Sequence, residues 1–147
     1  MIVLCFLLFG HPAPSLDRVR GLYEHCMISE DSCKTLLGLL KNYDERNGPL
    51  LAGYRAGATM VMAKYVFSPW TKWKFFCQGR DLLERSIVAD SLDIELIFIR
   101  YSIQQNCPWF LHYRQSAEKD KKFIETNLER INDPAMKASI RSYLNRN

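Results

Sequence analysis

IELIFIRYSIQQN, residues 94–106, is the stretch whose reading decides the fold. It holds the most β-prone run in the chain, Ile94 to Tyr101. Yet Glu95 and Arg100 interrupt the strict alternation that a half-buried strand needs, and the run flows into Ile103 without a turn signal before Pro108 stops it. A helix from Ile94 to Asn106 satisfies all of these constraints. With its one strand candidate gone, the chain reads as all-α.

The neighbouring segments extend this pattern in both directions. Upstream, residues 71–89 place Phe75, Phe76, Gly79, Leu82, Leu83, Ser86 and Ile87 on one helical face. Before them, Pro49 opens a helix carrying Leu50, Leu51, Tyr54, Ala58, Val61, Met62 and Tyr65, which stops ahead of Ser68 and Pro69; Arg55 and Lys64 within it exclude a membrane span. Ser15 and Ser29 are N-cap candidates for two earlier helices, 15–28 and 29–47, with Asp17, Glu30 and Asp31 in their first turns. Downstream, 117–130 and 134–144 read as two more, the last capped by Asp133. About seven helices with short connections predict antiparallel helical hairpins stacked on one another.

Gly79, Leu83 and Ser86 occupy the small, large and small places of a tetratricopeptide repeat (TPR), with Asp90 and Ser91 at its turn and Tyr54 on its first helix. The unit resembles one degenerate repeat, with Ser91 where the repeat has proline and no second copy at the expected period. Over residues 50–124 the chain also resembles an uncharacterised family of short exported bacterial helical proteins. That likeness rests on Gly79 to Glu84, on Asp93 to Leu96 with Arg100, and on Ile103 to Pro108 with Phe110, Leu111, Tyr113, Asp120 and Lys121. The resemblance implies a TPR-like fold and export, and brings no activity with it.

A chain of 147 residues, 48% hydrophobic, is long enough for one domain with its own core. The formal charge of +4 is spread thinly apart from Lys119, Lys121 and Lys122, so no basic face points to nucleic acid. Ile2 to Phe9 is an unbroken apolar run followed by Gly10, His11, Pro12, Ala13 and Pro14, the pattern of a secretory signal peptide over residues 1–14. Because no basic residue precedes the run, Met1 is expected to lie inside a longer reading frame. The mature domain would then be 15–147, periplasmic or extracellular, without a transmembrane segment. Four of the five cysteines remain after such cleavage, and free buried thiols are expected; Cys26 and Cys33, flanking one turn, are the pair most ready to join.

Chemistry-bearing constellations are few. Arg100 and Gln104 lie one turn apart on a helix face; together with Gln105, Asn106 and Tyr113 they are the candidate ligand- or partner-binding residues, and Glu84 or Asp120 is expected to reach Arg100 from a neighbouring helix. A hydrogen-bonded network fixing the C-terminal segment across this helix is the plainer expectation for the same residues. Trp70, Trp73 and Phe76 fall on one stripe and are expected to close the hairpin over residues 49–89, whereas a tryptophan exposed at the helix start would mark a binding surface instead. Gly53 and Gly57 predict close helix packing inside the molecule. Cys107 and His112 are the one thinkable nucleophile pair, and nothing in the spacing of His25, Cys26 and Cys33 matches a metal site, so no catalytic residue, metal or cofactor is assigned. The expected role is a non-catalytic module for a protein or peptide partner. The alternative is a small-molecule binder or enzyme using a polar pocket around Arg100, Gln104 and Tyr113.

Overall fold

The structure, a computed structural model, describes residues 12–146. The apolar run Ile2 to Phe9 lies outside them, as do most of the residues 1–14 assigned to a signal peptide. Among the described residues the protein has seven α-helices and no strand: α1 (Leu16–Cys26), α2 (Glu30–Leu39), α3 (Pro49–Val61), α4 (Pro69–Ala89), α5 (Ile94–Asn106), α6 (Ala117–Asn127) and α7 (Pro134–Leu144). Short 3₁₀ turns follow α3, α5 and α6 at Met62–Tyr65, Trp109–Leu111 and Leu128–Arg130.

Five helix starts are fixed by side-chain caps. Ser15, Ser29, Ser68, Asp93 and Asp133 each accept a hydrogen bond from a backbone N–H in the first turn of the helix that follows. Pro49, Pro69 and Pro134 stand just inside the starts of α3, α4 and α7, where a missing N–H costs nothing. The largest shift of an expected boundary is in α2, which ends at Leu39 rather than near Asn47. Asp44 and Asn47 bond each other's backbone N–H groups, a local alternative to helix that turns the chain before Pro49.

The helices pair as α1 with α2, α3 with α4, and α5 with α6. The first helix of each pair also packs against the first of the next, α1 on α3 and α3 on α5. α3 is therefore enclosed on several sides, which explains why Ala52, Gly53, Ala56, Gly57 and Ala58 are all buried. A β-carbon on Gly53 would collide with Leu96 of α5, and one on Gly57 would stand 2.5 Å from the Tyr23 hydroxyl of α1. The Gly-x-x-x-Gly pattern thus serves packing within the molecule. Enclosure also explains the β-like reading of residues 94–101: α5 is buried by α3, α4 and α6, and Tyr143 of α7 packs edge-on against its Phe98 and Tyr101, so few positions are left for the polar face that marks an amphipathic helix.

Candidate functional site

Arg100 leaves the middle of α5 and is buried. Its Nε and Nη2 each donate to one oxygen of Asp120 on α6, both at 2.7 Å, while Nη1 donates to Glu84 of α4 at 2.7 Å. The other Glu84 oxygen accepts from the Tyr113 hydroxyl at 2.5 Å. Burial opposes the charge on Arg100, but Asp120 and Glu84 outweigh it and raise its pKa further; burial, then Glu84, hold the Tyr113 phenol protonated. This is a closed cluster joining α4, α5, α6 and the segment between α5 and α6.

The five candidate residues divide. Arg100 and Tyr113 meet through Glu84. Gln104 is buried beside them in sequence, and its Oε1 has no hydrogen-bond partner among the described residues. Gln105 contributes only its carbonyl, which accepts from Arg114. Asn106 faces elsewhere, its Nδ2 donating to the Ser102 carbonyl and to the Tyr143 hydroxyl at the edge of α7.

A second cluster of the same design was not legible in the sequence. Arg20 of α1 donates through Nε and Nη2 to both oxygens of Glu95 at 2.8 and 2.7 Å, and through Nη1 to Asp133 at 2.5 Å. The Tyr54 hydroxyl of α3 donates to Glu95. The hydrogen bond to Glu95 is the main reason the Arg20 pKa rises, and burial is the main reason the Tyr54 phenol stays protonated. A signal existed: Glu95 is the lone acid in an otherwise apolar segment and needed a cation from elsewhere in the chain.

Between this second cluster and the C-terminal ends of α1, α3 and α5 runs a groove of roughly 860 Å³. Its walls are largely apolar: Tyr23 of α1, Met60 of α3, Phe98 and Ile103 of α5, and Met136 and Tyr143 of α7. Arg20 and Tyr54 stand in its lining as well. At its other end Lys64, Trp73, Pro108 and Phe110 frame the mouth. The Tyr23 hydroxyl has no hydrogen-bond partner among the described residues, and burial raises the pKa of its phenol. A smaller trough of about 710 Å³ between α2, α3 and α4 is lined by Asp44, Glu45, Arg46 and Arg85, which pair among themselves.

The aromatic stripe departs from expectation. Phe76 is buried, stacked on Trp73 at 6.1 Å and edge-on to Tyr113 at 5.7 Å, but Trp70 is 77% exposed and Trp73 45%. Only the last ring of the stripe closes the hairpin. The reason is position: Trp70 and Trp73 lie in the first turn and a half of α4, beyond the helix it packs against.

No known protein family, characterised protein or solved structure matches the chain.

The cysteines are unpaired among the described residues. Cys26 donates to the Leu22 carbonyl and Cys33 to that of Ala58, and the two thiols interact; that contact, then burial, push the Cys26 thiol up. Cys107 and His112 share no hydrogen bond, and burial raises the Cys107 thiol, the reverse of activation. No three His, Cys, Asp or Glu side chains among the described residues gather in a way that could hold a metal ion. None of the described helices is long and apolar enough to cross a membrane.

Proposed function

We propose that this protein is a non-catalytic binding module, TPR-like in its stacking, whose groove takes an apolar segment of a protein or peptide partner. The observation that carries the reading is the groove's construction: the first helices of three successive hairpins, α1, α3 and α5, line it together, and α7 closes one side. Stacked hairpins present ligands with this kind of shared inner face. An apolar wall with a few polar tips suits side chains that anchor by burial, and the free Tyr23 hydroxyl offers a backbone carbonyl a donor. Export of the module to the bacterial envelope belongs to the same proposal and rests on residues 2–14 of the sequence.

The alternative, a small-molecule binder or enzyme centred on Arg100, Gln104 and Tyr113, has less support. Each guanidinium nitrogen of Arg100 already donates to Asp120 or Glu84, two carboxylates that meet its charge inside the protein.

The test is selection of displayed random peptides on the full chain, followed by affinity measurement against Ser139→Trp. Ser139 lies on the exposed face of α7 and also lines the groove, so an indole there obstructs the groove without disturbing the core. Apolar peptides that lose about tenfold or more in affinity support the reading. Peptides that bind both forms alike, or a selection that enriches none, would overturn it.

A further inference from the structure

We propose that the mouth of the groove, built from residues 64–74 and 108–111, is a surface that seats on a bilayer containing anionic lipid. This goes beyond the module reading, because it concerns where the molecule sits rather than what fills the groove.

Several aromatic rings in these segments stand open to water. Phe67 is 99% exposed, Trp70 and Trp109 each 77%, and Phe110 is exposed beside Trp109, their rings edge-on at 6.2 Å. Pro69, Lys72, Trp73, Pro108 and Phe110 line one end of one groove, so the start of α4 and the turn after α5 are neighbours. The exposed rings thus belong to two segments that border the same groove, more bare aromatic surface than soluble monomers usually leave uncovered.

Charge then selects the occupant. No Asp or Glu occurs between Glu45 and Asp81, or between Glu95 and Glu118, so the segments that make the patch contribute Lys64, Lys72 and Lys74 and no acid. Lys72 and Lys74 alternate with Trp73, are exposed, and have no ion-pair partner among the described residues. Glu24 of α1 is the one acid in the groove's lining among the described residues. Tryptophan with flanking lysine is the composition that settles at the headgroup level, where indoles straddle apolar and wet layers and lysine tips reach the phosphates. A protein partner would have to supply a complete pocket for each ring, since Phe67, Trp70 and Trp109 have little of their own to pack against. Acyl chains need no such pocket.

The chain carries a built-in reporter. Its three tryptophans, Trp70, Trp73 and Trp109, all lie in the patch. The experiment adds vesicles of phosphatidylcholine, or of an equal mixture with phosphatidylglycerol, to the full chain and follows tryptophan emission, with brominated phosphatidylcholine as a depth quencher. The expected result is a blue shift and bromine quenching with the mixed vesicles, and a loss of about tenfold or more in vesicle affinity for Lys72→Glu, Lys74→Glu, since each lysine near an anionic surface contributes about fivefold. Both positions are exposed, and helicity measured by circular dichroism verifies that the variant folds. Three results would each overturn the proposal: no spectral change with the mixed vesicles, equal affinity of the charge-reversed variant, or co-flotation with vesicles while the tryptophan emission stays unshifted. The last would assign attachment to the apolar run Ile2 to Phe9 instead.

Discussion

Removing the Asp120 carboxylate would leave the Arg100 guanidinium inside the protein with Glu84, itself partly exposed, as its remaining acid. Asp120→Ala is therefore expected to destabilise by about 3 kcal/mol, whereas replacing the pair together, Arg100→Met with Asp120→Leu, should fall within about 1 kcal/mol of the original. Urea unfolding of the three proteins measures both; a double variant as weak as the single one would mean that the cluster does more than neutralise itself. Gln104 carries the opposite expectation. Its Oε1 is buried without a partner, so Gln104→Leu should raise stability by about 1 kcal/mol and Tm by about 2 to 4 °C in a thermal scan. The sequence made the Arg100 cluster legible because an arginine in the middle of an apolar helix needs acids, and Glu84 and Asp120 were near enough in chain order to be named. It could not separate Gln105 and Asn106 from Arg100, since the three differ in direction by rotations that only the packed neighbours define. Arg20 with Glu95 was illegible for another reason: the partners are 75 residues apart.

The glycines separate helix–helix contact from empty space. A β-carbon on Gly79 would stand 2.6 Å from the Ala56 carbonyl oxygen of α3 and 3.1 Å from the Met60 nitrogen, and backbone cannot give way. Gly79→Ala is expected to push α4 off α3 and cost about 1 to 3 kcal/mol. Gly38, in α2, has nothing near its absent β-carbon, so Gly38→Ala should stabilise by about 0.5 to 1 kcal/mol through helix propensity alone. Chemical denaturation of both variants tests the contrast, and a loss at both positions would contradict it. Caps and prolines made the helix boundaries legible at Ser15, Asp93 and Asp133, where side chain and backbone meet locally. The end of α2 was less so, because Leu40 and Tyr43 keep helical spacing in a segment that Asp44 and Asn47 have already turned. The tryptophan stripe misled in a similar way: periodicity tells which residues share a face, but where that face runs past its partner depends on where the partner ends.

Several phenols of the whole molecule share one behaviour. Burial is the main reason that Tyr23, Tyr54 and Tyr113 hold their protons above the ordinary range, and Glu95 and Glu84 add to it for the last two. A folded-state pKa above the unfolded one means that the unfolded chain releases its protons first. This stability is intact below a pH of about 10 and is lost as pH rises beyond it. Phenolate absorbance and helicity followed together on alkaline titration should show these rings ionising only as the helices melt; complete titration near pH 10 with the helices intact would refute this. The two arginine clusters also bear on how the hairpins find their order. α5 offers an acid, Glu95, in its first turn and a cation, Arg100, further along, and each is met by the opposite charge from a different neighbour. Sliding α6 along α5 by one turn, about 5.4 Å, would strand Arg100 and Asp120 apart in an apolar interior. The charges thus act as a key code for assembly, rejecting misaligned hairpins that a purely oily interface would accept.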